Sequence, residues 1–559
     1  MNGWLAPELR VGLGCMRLEE HATETITAAI EAGITVFDTA RAYDGNERLL
    51  ARVLAGGSAA GRARVVTKGG MSRPGGAWVP DGRARSIRAD CEASLAALDG
   101  LSIDLYLLHT PDPRTPWRTS VRALAKLLDE GLVRRVGVCN VSRAQLDEAV
   151  ELAPIAAVQV AISVFDDRAL RGGVFDRCTE LGIAVLAHSP LGGPRRARGL
   201  ARHDALAAIA RSHEVTEAEV ALAWLLDLGP NIVVIPGARR PEAARSAARA
   251  SALRLDDDDR VRLGGARPRA IPPTSDGDVV VVMGIPGTGK SRVAAEYVAR
   301  GYVRLNRDER GGTLRNLADV LDGALASGSR EVVLDNTYLT RAARSYVVES
   351  AARRRAQVRC VWLDMPLAQA QVNLVERLLD RFRALPTPEA LKEAARTEPG
   401  LLSPTQQMRA LRELEPPTDD EGFASVERVA FARTPTDGHA VGGVFVAAAA
   451  VGRPGCDATL AGGLPESPHL VLDWKPDGTP ADLDAAVEAV AAIVTGPVEA
   501  AICPHPGGPP ICWCRPPLPG LPLAFARRHG LDSARSLLVG VTPAHRTLAT
   551  TLGARYVAV

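Results

Sequence analysis

From Val11 to about residue 265, short apolar runs alternate with amphipathic stretches. ITVFDTA, RARVVTKGG, IDLYLLHTPDP, VRRVGVCNV, IAAVQVAIS, IAVLAHSPL and NIVVIPGAR read as strands, since each runs from β-branched or other apolar residues into Gly, Pro, Asn or Ser. Segments such as VRALAKLLDEGL and LDEAVELA between them place apolar residues at helical spacing. Repeated strand–helix order predicts a parallel sheet, with enough units for a (β/α)8 TIM barrel over residues 1–264. Residues 265–278, GARPRAIPPTSDGD, lose the periodicity and read as a semi-extended linker. Alternation then resumes with VVVVMG, YVRLN, REVVLD and RCVWLD, which predicts a doubly wound α/β domain over residues 279–432. Residues 376–425 within it look helical and polar, and GGVFVAAAAV opens a further α/β module over 433–559.

Length agrees with that division, because 559 residues exceed what one core supports and suggest about three domains. Apolar content of 46% and charge content of 24% are ordinary for a globular chain. A net charge of +2 argues against a polybasic nucleic-acid coat, while a local basic groove stays open. Lysine is rare, with Lys68, Lys126, Lys290, Lys392 and Lys475 the only five, so a lysine inside a motif is notable. No apolar run approaches the roughly 20 residues that span a bilayer, and the start lacks a signal-peptide pattern. The nine cysteines are mostly scattered, as reduced thiols would be. The expectation is a cytoplasmic protein with no membrane partner.

Candidate chemistry begins at VVVVMGIPGTGKS, residues 279–291. Gly284, Gly289, Lys290 and Ser291 complete G-x-x-x-x-G-K-[ST], with Gly287 inside the turn. Glycines let backbone N–H groups wrap phosphates, the lysine reaches the β/γ-phosphates, and Ser291 can hold Mg²⁺. The next helix points its positive end at the anion. This predicts a P-loop binding ATP.

Strand ends of the first domain carry Asp38, Lys68 and His109, with Tyr43 in the following ARAYDGNE loop. Together with GLGCMR, FDTARAYDGNE, VTKGG, GVCN, AHSPLG and IPGAR, these four resemble the Asp-Tyr-Lys-His tetrad of the aldo-keto reductases. The resemblance implies NADPH-dependent reduction of an aldehyde or ketone. Tyr43 would be the general acid, its pKa lowered by Lys68 paired with Asp38, and His109 would orient the carbonyl. Cofactor contacts implied are Asn140, Gln159, the Ser189–Leu191 loop, Gly237 and Arg239; Arg239 and Arg245 suit a 2′-phosphate. Where the family usually stacks an aromatic ring on the nicotinamide, this chain has His188.

The second domain resembles the polynucleotide 5′-kinases through NRD, LDNT with a downstream arginine, and N-x-x-x-R. That implies transfer of the ATP γ-phosphate to 5′-OH ends of DNA or RNA. Asp308 would be the base, Lys290 and Mg²⁺ would spread the developing charge, and Asp335 would organise the loop side. Arg377, and less surely Arg381, would reach from a lid to the phosphates; Arg344 would contact the nucleic-acid backbone. Phage-type kinases place an arginine three residues after the base, where this chain has Gly311, with Arg310 nearest.

In the last module Cys503, His505, Cys512 and Cys514 offer a set suited to a structural, tetrahedral Zn²⁺. CPH…CWCRPPLPG resembles the zinc loop of haloacid-dehalogenase-type (HAD-type) sugar phosphatases, implying a Rossmann-like HAD-type fold. That family's Asp-x-Asp is replaced by Ala447-Ala448-Ala449, its lysine by Pro516 and its later acid by Val541, so the module is expected to be inactive. An alternative nucleophile in LVLDWKPDGT (Asp473, Asp477) lies beyond the expected first strand. The expected whole is a bifunctional nucleic-acid end-processing enzyme. Two alternatives remain: a metabolic pair of carbonyl reductase and small-molecule kinase, and an NADPH-sensing barrel that regulates a kinase.

Overall fold

The computed structural model describes residues 9–19, 22–55, 61–263, 276–430 and 441–559. Two compact units divide the chain, Met1–Pro268 and Arg269–Val559. Residues 265–275 of the expected linker and the expected boundary at 432/433 lie outside the described residues.

The first unit is an eight-stranded parallel barrel. Its strands are β1 (Gly12–Gly14), β2 (Val36–Asp38), β3 (Arg64–Gly69), β4 (Ile103–Leu108), β5 (Val136–Cys139), β6 (Ile155–Ala161), β7 (Ala184–His188) and β8 (Ile232–Ile235), paired in chain order. Parallel bridges Val11–Val234 and Gly14–Gly237 join the first edge to the last. All six side chains of β4 are buried, as the unbroken IDLYLL run requires in a sheet covered on both faces.

The second unit holds two five-stranded parallel sheets. One contains β9 (Gly277–Met283), β10 (Val303–Leu305), β11 (Glu331–Asp335), β12 (Ala356–Asp364) and β13 (Ser425–Ala430), in the order β10-β11-β9-β12-β13. β9 begins at Gly277, so the last two residues of the expected linker are already strand. Sequence periodicity misses β13, because SVERVA is an almost wholly exposed edge strand. The other sheet contains β14 (Val444–Ala447), β15 (His469–Trp474), β16 (Val498–Cys503), β17 (Leu537–Gly540) and β18 (Arg555–Ala558), in the order β16-β15-β14-β17-β18. Helices important below are α1 (Lys290–Val298), α2 (Leu367–Phe382), α3 (Pro404–Glu413), α4 (Gly520–His529) and α5 (Pro543–Leu552). α2, from the phosphate-loop half, enters the core of the other sheet. Val372, Val375 and Leu379 of α2 pack in one cluster with Phe445, Phe525 and Leu548. No helix among the described residues is long and apolar enough to cross a membrane.

Candidate active sites

In the barrel, strand ends bring Asp38, Lys68 and His109 together, and the loop after β2 adds Tyr43. Lys68 Nζ donates to both carboxylate oxygens of Asp38 and to Thr39 O, each at 2.8 Å. Both side chains are buried, so the charges persist only as a pair. Burial works against the Lys68 ammonium, yet Asp38 and Tyr43 hold its pKa above the ordinary lysine value. Lys68 Nζ sits 5.1 Å from the Tyr43 ring centroid. The expected lowering of the Tyr43 pKa is corrected here: burial outweighs the pull of Lys68, and the net shift is upward. Tyr43 therefore keeps its proton, the form a general acid needs. Burial, with help from Lys68, lowers His109 to about 3, so its imidazole is neutral at ordinary pH, and its Nδ1 is buried without a partner.

Trp78, which the sequence reading passed over, meets Tyr43 edge-on at 6.2 Å and His109 at 5.7 Å. It stands on a small hairpin, Met71–Ser72 against Val79–Pro80, and a tryptophan amid Pro and Gly, in a chain with only seven, was the available signal. These residues line a cavity of about 610 Å³, within the range that small-molecule sites occupy. Asn140, Gln159, Ser189, Leu191, Gly237 and Arg239 also line it. Gln159 Nε2 donates to Asp38 Oδ1 at 2.7 Å, and His188 Nε2 lies 3.0 Å from Asn140 Oδ1. The amides, hydroxyl and guanidinium along this wall suit a dinucleotide with a carboxamide at one end and phosphates at the other. Arg245 lies outside the cavity lining, exposed on an outer helix and paired with Glu31 at 3.4 Å.

The second site is the turn between β9 and α1. Val279–Met283 are fully buried, and the turn leaves the sheet where neighbouring connections diverge, the usual ligand edge of such folds. Gly284 and Gly287 have φ of +151° and +94°. A Cβ on Gly287 would fall 2.3 Å from Ala370 O of α2, so close approach of the lid backbone requires glycine there. Lys290 Nζ donates to Gly284 O and Ile285 O at 3.0 and 2.9 Å. Its pKa is lowered to about 8, chiefly by burial; Asp335 opposes the shift, Arg377 adds to it and Asp308 opposes it. The four expected charges are thus within electrostatic reach of one another.

Asp335 is buried and held by Arg304 at 2.5 Å and Asn306 at 3.3 Å. Asn306 also accepts the Asp308 N–H at 2.7 Å, which sets Asp308 on a short helical turn at the strand end. The Asp308 carboxylate is 41% exposed, with Arg307 at 3.0 Å. Arg377 is exposed and donates to Gly400 O at 3.2 Å, whereas Arg381 is engaged by Glu398 at 2.8 Å. Ser291 is exposed at the loop mouth. Arg344 corrects an expectation. Its side chain is wholly buried, forked onto Glu421 at 2.6 and 2.7 Å, and donates to Tyr338 O, Leu339 O and Glu415 O. It ties the segment around Glu415–Glu421 to its helix and cannot touch a nucleic-acid backbone.

In the third sheet the strand ends carry no such chemistry. Ala447 ends the central strand and Ala448–Ala450 form the next turn. Val541 N–H donates to His545 Nδ1 at 3.2 Å, and Asp473 lies on the second strand, bonded to its own neighbour's N–H. Cys503, His505, Cys512 and Cys514 do converge, with all four ligand atoms within 4.8 Å of one another. Sulfur separations of 3.3 and 3.6 Å exclude a formed disulfide and come close to the roughly 3.8 Å edge of a tetrahedron with Zn–S bonds of about 2.3 Å. The donor set and its spacing fit a closed tetrahedral ion.

Comparison with known proteins follows the same division. The Aldo/keto reductase family model matches residues 10–265, and the AAA domain model matches residues 279–398. "Probable aldo-keto reductase 1" of Glycine max is 30% identical over 291 residues, which is 45% of this chain and 83% of that protein. Aldo-keto reductase str7 of Strobilurus tenacellus is 28% identical over 275 residues, 44% of this chain and 81% of that protein. Among solved structures, an aldo-keto reductase from Klebsiella pneumoniae in complex with NADPH is 27% identical, covers 47% of this chain and 93% of its own, and gives a TM-score of 0.41.

Proposed function

Since the chain belongs to the aldo/keto reductase family through residues 10–265, we propose that it reduces a carbonyl with NADPH in its barrel and phosphorylates a 5′-OH polynucleotide end with ATP in its second unit. The observation that carries the first half is the buried Lys68–Asp38 pair beneath a protonated Tyr43 and a neutral His109. Asn140, Gln159, Ser189, Leu191, Gly237 and Arg239 would hold NADPH, which when bound would supply the hydride. His109 positions the carbonyl oxygen, and Tyr43 Oη gives it a proton as negative charge develops there. Lys68 stabilises the phenolate left behind, and Asp38 keeps Lys68 charged. Trp78, edge-on to Tyr43 and His109, forms part of the wall of the cavity the carbonyl would enter.

The second half rests on Lys290, Asp308, Asp335 and Arg377 around one P-loop. Asp308 takes the proton of the acceptor hydroxyl. Lys290 and Arg377 would hold the transferring phosphoryl oxygens, and Ser291 would help hold Mg²⁺, which when bound would offset phosphate charge. Zn²⁺ in the Cys503, His505, Cys512 and Cys514 cluster would be structural, and the HAD-like module would have no phosphatase activity, for want of a carboxylate at Ala447–Ala449. Burial of Arg344 removes one backbone contact and favours, as a second reading, a small hydroxyl acceptor. Radiolabelled ATP with 5′-OH DNA, 5′-OH RNA and free nucleosides separates the two. Label on oligonucleotides that disappears in Asp308→Ala supports the polynucleotide reading, and label confined to nucleosides or polyols replaces it with the second.

A further inference from the structure

The third module has no catalytic carboxylate at its strand ends, yet it is built into the support of the phosphate loop. α2 is shared between them. One face of the helix lies in the core of the third module, through Val372, Val375, Leu378 and Leu379. The other face holds the loop: Asn373 Nδ2 donates to Gly287 O at 2.8 Å, and the Ala370 carbonyl occupies the space a Cβ on Gly287 would need. A parallel route passes through α3. Gln407 Nε2, on a fully buried side chain, donates to Pro286 O at 3.1 Å.

The start of α3 is in turn pinned by the cysteine loop. Trp513 Nε1 donates to Leu402 O at 2.9 Å, and Thr405 Oγ1 donates to Pro510 O at 2.8 Å. Leu385, just past α2, packs directly on Cys503, Cys512 and Cys514. Arg527 of α4 adds a surface pair with Asp380. Pro510 and Trp513 lie in or beside the stretch bracketed by the four candidate ligands. An ion joining those ligands would hold both contact points in place, because its bonds are far stronger than a loop's own hydrogen bonds.

We propose that the third module is a metal-locked brace, in which zinc loading of Cys503, His505, Cys512 and Cys514 sets the nucleotide affinity of the loop Gly284–Ser291. This rests on the reading that the loop takes ATP. The coupling runs through packed side chains with named contacts at each step, so it is a physical route open to test. It accounts for a module without catalytic residues being kept in contact with the lid.

The test uses the full chain, stripped of zinc by a chelator and returned to excess Mg²⁺, beside the same sample reloaded with Zn²⁺ alone. Fluorescent ATP binding, metal content and reductase turnover are measured on both. The expected result is at least about fivefold weaker ATP binding after stripping, restored by zinc, with reductase turnover unchanged. Trp513→Phe keeps all four ligands and should bind zinc normally while weakening ATP. Equal ATP affinity with and without zinc, or a Trp513→Phe protein of full affinity, overturns the brace. A chain that retains zinc yet never binds ATP overturns the nucleotide reading instead. In that case amide exchange at Gly284–Ser291 decides the brace: faster exchange after stripping supports it, and unchanged exchange overturns it.

Discussion

In the barrel, Lys68, Asp38 and Gln159 satisfy one another before any substrate arrives, and Tyr43 and His109 already face a formed cavity. At the phosphate loop, Lys290 donates to carbonyls of its own turn, Arg377 to Gly400 O, and Asp308 stands exposed beside Arg307. Buried charges must be paired in advance, since an unpaired one costs several kcal/mol. Asp308 and Arg377 are exposed and need no such pairing, and Lys290, though buried, donates only to carbonyls of its own turn, with burial lowering its pKa to about 8. The difference teaches that the barrel's charges are paired in advance of any ligand, while those around the phosphate loop have no ion-pair partner among the described residues beyond Arg304 on Asp335 and Arg307 on Asp308.

The sharpest break of that contrast is Tyr43→Phe. Reductase turnover should fall by about 10²–10⁴-fold, since the proton donor is gone, while ATP-dependent labelling stays as it was. A steady-state assay with NADPH and a panel of aldehydes checks the first, and the radiolabel assay the second. Arg344→Ala comes next. It strands Glu421 without its guanidinium, and the second unit should lose about 3–5 kcal/mol of stability, read as a lowered thermal midpoint of that unit alone. If Arg344 gripped nucleic acid instead, stability would hold and only substrate affinity would fall.

Gly287→Ala tests the close approach of α2. The positive φ and the 2.3 Å contact with Ala370 O predict strain of about 1–3 kcal/mol, hence ATP binding weaker by about tenfold, by titration calorimetry. The smallest effect is on pH. Lys290 in the free protein titrates at about 8, and bound phosphates favour its ammonium form, so ATP affinity should be flat below pH 8. Above it, affinity should fall by up to about tenfold per unit, because binding must then recapture a proton. Lys290→Arg, which stays charged, should flatten the slope.

Strand–helix alternation, the P-loop spacing and the four tetrad residues were legible because each is a local pattern: period, turn chemistry, and a polar residue at a strand end. The exposed strand Ser425–Ala430 was not, since an edge strand with adjacent Glu427 and Arg428 carries no apolar period. Trp78 was missed because its role depends on a hairpin folding over a cavity.

By itself the sequence determined which residues can do chemistry. Lysine, histidine and aspartate stood at strand ends with tyrosine in a following loop, glycines in the phosphate turn, cysteines at ligand spacing, and alanines at the end of an apolar run. Only the tertiary structure decided how those groups are charged and what they touch. Burial keeps Tyr43 protonated and His109 neutral, and it turns Arg344 from a surface cation into an internal clamp. It also placed one helix, Leu367–Phe382, in the core of the third module and against the phosphate loop at once. Solvation and packing are sums over residues far apart in the chain, and local patterns do not carry them.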